Sequence, residues 1–70
     1  MQAVGDRIKT IRKKAGLTQR ELAKKLGKSE RMVRRYENGT IDFPYSVLRD
    51  IADALDVSVV ALLTDTGNYH

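Results

Sequence analysis

The chain has 70 residues, a net charge of +4, no cysteine and one histidine, which is the last residue. A chain of this length forms one domain, near the lower size limit for folding without disulfides or metal ions. The missing cysteine excludes a thiolate metal site and the lone histidine excludes a histidine-pair site, so we expect neither a metal ion nor a cofactor.

Hydrophobic periodicity predicts an all-α fold, a compact bundle of five helices with no strand. The first helix is expected from about Val4 to Ala15, with Gly16 after its end. The second is expected to end at Gly27, because glycine adopts the left-handed conformation that other residues resist. At its start, Thr18 and Glu21 have the spacing of a capping box, in which each residue hydrogen-bonds the other's backbone N–H.

Ser29 is expected to cap the third helix, in which Val33 and Tyr36 point inward. The small Ala23 lets the second and third helices cross closely. The opposite face of the third helix is polar and strongly basic, and consists of Glu30, Arg31, Arg34 and Arg35. A helix face with three arginines is poorly suited to burial, whereas its shape and chemistry suit a DNA major groove.

A loop of residues 40–43 leads to Pro44, whose missing N–H costs nothing at the start of the fourth helix. Asp56 is expected to close that helix, and Ser58 to cap a short fifth helix from Val59 to Leu63. The domain is expected to span residues 1–63, followed by a polar tail of residues 64–70. The predicted core consists of Ile8, Ile11, Leu17, Leu22, Ala23, Leu26, Val33, Tyr36, Tyr45, Leu48, Ile51, Leu55, Val57, Leu62 and Leu63.

Charge is divided unevenly along the chain. Residues 1–39 hold 12 basic and four acidic residues, a balance of +8, whereas residues 40–70 hold one basic and five acidic residues, a balance of −4. A positive field at one end favours a polyanion as partner. A membrane surface would require Trp or Phe on a basic amphipathic helix, and residues 1–39 contain neither. No apolar run approaches the roughly 20 residues that span a bilayer, and no signal-peptide core is present. We therefore expect a cytoplasmic protein that binds nucleic acid.

Two runs of residues carry a resemblance to a known family. The first comprises Leu17-Thr18-Gln19, Glu21-Leu22-Ala23, Leu26-Gly27, Ser29, Val33 and Glu37-Asn38-Gly39; the second comprises Leu48, Ile51-Ala52, Ala54-Leu55, Val57-Ser58 and Leu62-Leu63. They resemble the helix-turn-helix domains of phage Cro and repressor proteins and of their bacterial XRE-type relatives. The resemblance covers roughly residues 4–63 and implies a lambda-repressor-like DNA-binding fold.

The function implied by this resemblance is sequence-specific binding of double-stranded DNA. We expect a regulator of transcription, a repressor of Cro type, that acts as a homodimer on a palindromic operator and associates with a bacterial or phage nucleoid. An antitoxin or anti-regulator, whose main partner is another protein, is the alternative. An enzyme is not expected because the chain lacks cysteine, a non-terminal histidine and paired carboxylates beside a plausible pocket. No small-molecule ligand is expected in this domain.

The basic face of the third helix matches the positions that read bases in the family. These positions are Glu30, Arg31, Arg34 and Arg35. Arginine donates two hydrogen bonds to guanine O6 and N7, and a glutamate accepts from cytosine N4. The alternative is a solvated face in which Glu30 and Arg34 form an i,i+4 ion pair, an arrangement that does not compete with contact in the groove.

The resemblance further implies contacts to DNA phosphate and one structural ion pair. Gln19 matches a position that contacts phosphate and supports the recognition helix, although an ordinary polar residue in a first turn is the alternative. Arg12 and Glu37 match positions whose ion pair ties the first helix to the end of the third. The residues expected to contact phosphate are Gln19, Lys28, Asn38 and Thr40. For the last two, turn chemistry around Gly39 is the alternative.

Apolar residues near the loop and the fifth helix exceed what a monomer needs at its surface. They are Ile41, Phe43 and Val60. We interpret them as a dimer interface. For Phe43 the alternative is that its ring folds back onto the core.

Overall fold

The computed structural model describes residues 2–64 and contains five helices there, with no strand in that range. The helices are α1 (Gln2–Lys14), α2 (Gln19–Leu26), α3 (Glu30–Asn38), α4 (Tyr45–Ala54) and α5 (Val59–Leu63). The predicted all-α fold is confirmed. The predicted first helix was displaced, since α1 begins at Gln2 and Ala15 lies in the turn after it. Apart from Thr64, the predicted polar tail lies outside the described residues.

Side-chain and glycine caps define the ends of the short helices. The capping box at the start of α2 is complete: Thr18 Oγ1 accepts from the Glu21 N–H at 3.0 Å, and Glu21 Oε1 accepts from the Thr18 N–H at 2.8 Å. Ser29 and Ser58 each accept a hydrogen bond from the backbone N–H three residues further on. Gly27 ends α2 in the left-handed conformation with a φ of 67°. These caps satisfy backbone groups that short helices leave unpaired.

The fourth helix is capped without a side chain. Pro44 is its N-cap residue in an extended conformation and makes no side-chain cap hydrogen bond. Its carbonyl oxygen accepts from the backbone N–H of Leu48 at 3.1 Å, which begins the helical hydrogen-bond series. Beyond the other end, Asp56 has a φ of 59°. Aspartate tolerates this left-handed conformation better than a branched side chain would.

Among the described residues, eleven apolar side chains form the buried core between the helices. They are Val4, Ile8, Leu22, Ala23, Val33, Tyr36, Leu48, Ile51, Ala52, Leu55 and Leu62. Ile11, Leu17, Leu26 and Val57 are half-buried against this core. No helix among residues 2–64 combines the length and the apolar character needed to span a membrane.

The core prediction was wrong for two residues. Tyr45 is 64% exposed and Leu63 is 43% exposed. Tyr45 begins α4, and the ring that packs on the buried Tyr36 instead belongs to Phe43. Leu63 is the last residue of α5 and follows the fully buried Leu62; it points about 100° away from Leu62, toward solvent.

Candidate nucleic-acid interface

A tight turn presents α3 at the surface beside α2. Gly27 ends α2 and Ser29 caps the start of α3, so only Lys28 lies between the two caps. Leu22 and Ala23 of α2 are buried at the crossing, as is Val33 of α3. The small Ala23 side chain allows the two helices to pack closely, and the inner face of α3 that is buried in this way carries Val33, Tyr36 and Glu37.

The outer face of α3 is exposed throughout. It consists of Glu30, Arg31, Arg34 and Arg35, the four residues expected to read bases. Arg34 Nη2 lies 3.9 Å from Glu30 Oε2, and both side chains are about half exposed. An ion pair of this kind contributes only about 0–1 kcal/mol to stability, so a ligand displaces it at little cost.

The other two arginines of this face differ from Arg34 in making no ion pair with the described part of the chain. Within residues 2–64, Arg31 and Arg35 have no ion-pair partner, and both side chains are exposed. They are four residues apart and therefore lie one above the other on α3. Two free guanidinium groups in this arrangement present a row of hydrogen-bond donors to an acceptor-rich partner.

The end of α3 is attached to α1 by a buried ion pair. Arg12 Nε donates to Glu37 Oε2 at 2.6 Å and Arg12 Nη2 donates to Glu37 Oε1 at 3.1 Å. The side chains are only 7% and 1% exposed. Arg12 Nη1 also donates to the Leu17 carbonyl oxygen at 2.8 Å. The guanidinium thus ties α1 to α3 and to the segment that leads into α2.

Gln19 belongs to the same group of contacts. Its Nε2 donates to Glu37 Oε1 at 3.0 Å, which attaches the first residue of α2 to the end of α3. Sequence reasoning gave Gln19 a supporting role beneath the recognition helix but did not identify Glu37 as its partner. Spacing alone carries no signal for this contact, since 18 residues separate the two side chains.

The remaining residues expected to contact phosphate lie at the two ends of α3. Lys28 precedes the helix in the turn, whereas Asn38 is its last residue and Thr40 follows Gly39; Lys28, Asn38 and Thr40 are all exposed. The Thr40 hydroxyl donates to the Arg35 carbonyl oxygen at 3.4 Å, which is turn chemistry. The hydroxyl oxygen remains an acceptor and the Asn38 amide remains exposed.

The predicted dimer residues differ in exposure. Val60 is 55% exposed, whereas Ile41 and Phe43 are half-buried against the core. The Phe43 ring packs edge-on against Tyr36, with ring centroids 5.2 Å apart and planes at 89°. This is the alternative placement considered for Phe43.

Sequence reasoning also missed Gly5. It is buried in the middle of the first two turns of α1, where glycine is a poor helix former. A glycine inside a helical pattern indicates a packing or functional reason, and here the reason is the backbone at the end of α3, which would touch a Cβ atom on Gly5. Elsewhere in the described part of the chain, no group of three or more acidic or histidine side chains is placed to hold a metal ion.

Comparison with known proteins identifies relatives of this fold. A family model for helix-turn-helix domains matches residues 8–62. A structure of the clp gene regulator ClgR from Corynebacterium glutamicum has a TM-score of 0.87 and 27% identity over 99% of this chain and 91% of that chain. A second ClgR structure has a TM-score of 0.85 and 29% identity over 89% of this chain, which spans 66% of that chain.

A third solved structure is of the master regulator for biofilm formation SinR, determined in complex with DNA. Its TM-score is 0.79 and its identity is 35%, over 87% of this chain and 98% of that chain. The match extends over nearly all of the SinR chain, so the likeness concerns the whole domain and not one motif.

Proposed function

The chain belongs to the XRE-type helix-turn-helix family of DNA-binding transcription regulators, and we propose that it is a cytoplasmic repressor that binds double-stranded DNA sequence-specifically through α3. The observation that carries the proposal is a pair of exposed arginines, Arg31 and Arg35, that have no ion-pair partner among residues 2–64 and lie on a helix whose inner face is buried. SinR, solved in complex with DNA, supports the same partner for this chain.

In the proposed complex, α3 lies in the major groove with its outer face against the base edges. Arg31 and Arg35 each donate two hydrogen bonds to guanine, and Glu30 accepts from cytosine once Arg34 turns from it. Phosphate contacts come from the residues at the helix ends, which are Gln19, Lys28, Asn38 and Thr40. These contacts set the register of α3, while the base contacts supply the sequence preference.

We also propose that two copies bind one palindromic operator. One recognition helix reads only a few base pairs, whereas two helices roughly 34 Å apart reach successive major grooves on one side of the duplex. A two-fold contact through the start of α5 and the loop before α4 would centre on the exposed Val60, with the half-buried Ile41 beside it; Phe43, whose ring packs on Tyr36, would contribute only its exposed part. Residues 40–64 hold four acids and one base, so this half of the chain gains nothing from facing DNA.

Selection of bound sequences from a random duplex library tests the proposed function. We expect a palindromic consensus, bound much more tightly than unrelated duplex. On the selected duplex, log K should fall steeply with log salt concentration between about 50 and 200 mM, because each neutralised phosphate contributes a slope of about −0.9. A selection that enriches no sequence, or an affinity that hardly changes with salt concentration, would contradict the proposal.

A further inference from the structure

We infer that Glu37 is a positioning residue for DNA binding: its buried carboxylate orients the Gln19 amide so that one N–H is held inside the protein and the other is presented to an operator phosphate. The inference rests on the proposed function, since it concerns the same interface. It adds a role for a side chain that itself lies too deep to touch DNA, with 1% of its surface exposed.

The carboxylate of Glu37 is shared between two helices. Within residues 2–64, its Oε2 accepts from Arg12 Nε alone, whereas its Oε1 accepts both from Arg12 Nη2 at 3.1 Å and from Gln19 Nε2 at 3.0 Å. An ionised carboxylate only accepts hydrogen bonds, so it selects the NH2 group of the amide over the amide oxygen. Arg12 compensates the charge that this requires in the interior.

The selected orientation leaves one donor for a ligand. A side-chain amide carries two N–H groups, and among residues 2–64 only Glu37 accepts from Gln19. Phosphate oxygens, like carboxylates, only accept, and an amide turned the other way would face them with its oxygen. Gln19 is half-buried and is the first residue of α2, where backbone N–H groups also favour an anion.

The competing explanation is that Glu37 acts only as the partner of Arg12. In that case Gln19 would bind phosphate, or fail to, independently of Glu37. The two explanations differ in one measurable respect. If Glu37 positions Gln19, substitution of Glu37 removes the contribution of one particular phosphate to binding. If Glu37 is purely structural, the same substitution weakens every DNA contact alike.

Single neutral methylphosphonate replacements in the selected operator separate these cases. With the parent protein, replacement of the phosphate that Gln19 contacts should weaken binding about tenfold, the scale of a hydrogen bond to a charged group. This phosphate is identified as the one whose methylphosphonate replacement weakens binding of the parent protein but not of the Gln19→Ala variant. In Glu37→Gln the new amide can donate to the Gln19 oxygen, so the loss at this phosphate should fall below about twofold.

Two controls make the result specific. The first control is the phosphate that Lys28 contacts, identified in the same way with Lys28→Ala. Methylphosphonate replacement there should weaken binding of Glu37→Gln as much as it weakens binding of the parent protein. Arg12→Lys keeps a positive charge beside the carboxylate but loses the two parallel hydrogen bonds of the guanidinium, so it should lower stability and keep the loss at the Gln19 phosphate. A full loss at the Gln19 phosphate in Glu37→Gln, or the absence of any Gln19-dependent phosphate, would overturn the inference while leaving DNA binding intact.

A measurement on the unaltered protein covers the case in which these variants do not fold. One side-chain amide hydrogen of Gln19 should exchange with solvent much more slowly than those of the exposed Asn38, as observed by NMR. Equal exchange rates would overturn the inference. Failure to select any operator is a different result, which would overturn the proposed function and, with it, the role of Glu37 in presenting Gln19.

Discussion

Gly5 of α1 lies directly against the end of α3: a Cβ atom placed on Gly5 would stand 2.5 Å from the carbonyl oxygen of Glu37. The carbonyl oxygen of Tyr36 would be only 2.6 Å away. Both neighbours are backbone atoms, which cannot turn aside as the end of a flexible side chain can. Because Arg12 reaches Glu37 from the same helix, the absence of a side chain at Gly5 and the buried ion pair position α1 on α3 together.

Gly5→Ala is therefore expected to destabilise the domain, although glycine to alanine inside an exposed helix normally stabilises it by about 1 kcal/mol. Overpacking of this kind costs about 1–3 kcal/mol. Urea unfolding followed by circular dichroism measures the difference. Thr10→Ala, at an exposed position of the same helix, is the control and should change stability little. An alanine variant at Gly5 as stable as the parent would show that α1 and α3 separate without cost.

The Arg12–Glu37 ion pair is expected to behave as one coupled unit. Loss of one partner leaves an uncompensated buried charge, which costs about 3–5 kcal/mol. Loss of both removes that charge, so Arg12→Met with Glu37→Gln should cost clearly less than the sum of the single changes. Free energies of unfolding for the four proteins give the coupling directly. A coupling within error of zero would mean that the two side chains stabilise the fold separately.

The fold was largely predictable because its signals are local. The capping box of Thr18 and Glu21, the left-handed Gly27 and the cap at Ser29 each act within four residues, and each lies where the sequence places it. The exposure of Tyr45 was not predictable in this way. It depends on which aromatic ring reaches Tyr36 across the loop, a choice that the periodicity of α4 does not contain.

In the candidate site, too, the local features were predictable from the sequence and the tertiary contacts were not. Periodicity alone places the arginines of α3 on an exposed face, and the structure has them there. The contacts that hold α3 are tertiary: 25 residues separate Arg12 from Glu37, and 18 separate Gln19 from Glu37. The first pair was expected only through the family resemblance, and the second was not expected at all, since no helical or turn spacing relates such residues.

Arg31→Ala and Arg35→Ala are each expected to weaken operator binding by about 1–3 kcal/mol and to relax base preference at one position per half-site. The reason is that each removes a guanidinium with no partner in the described part of the free protein. Fluorescence anisotropy on the selected operator and its single-base variants measures both effects. Arg49→Ala removes the same charge from the exposed surface of α4 and is the control. Parent-like binding by both α3 variants would show that another surface reads the bases.

The capping box gives stability a dependence on acid. The pKa of Glu21 lies below its ordinary value, chiefly because its carboxylate accepts a hydrogen bond from the backbone N–H of Thr18. Hydrogen bonding with the Thr18 side chain lowers this pKa further. A lowered folded-state pKa contributes stability that is present above the ordinary pKa of an unfolded glutamate and is lost as pH falls through the folded-state pKa. Glu21→Gln should remove this part of the acid loss, as measured by unfolding between about pH 6 and 2.

Glu30→Gln is the matched control for this acid effect. It removes the same charge from an exposed first-turn position of α3, where Ser29 caps the helix without a reciprocal carboxylate. The control should keep the contribution of Glu21 to the acid loss. Identical pH profiles for the parent and Glu21→Gln would show that the carboxylate does not stabilise the start of α2.

Val60→Asp is expected to abolish cooperative binding to a full palindrome and to leave half-site binding almost unchanged. Val60 is 55% exposed on α5, so a polar residue there is compatible with the monomer fold, whereas a two-fold contact would bring two aspartates together without compensation. Val60→Asn, an uncharged isostere, separates loss of apolar contact from repulsion and should reduce cooperativity less. Titration of full and half operators measures the half-site affinity and the cooperativity between the two copies. Equal weakening on both DNAs would place Val60 in the monomer's own packing, and no effect on either would place the dimer contact on another surface.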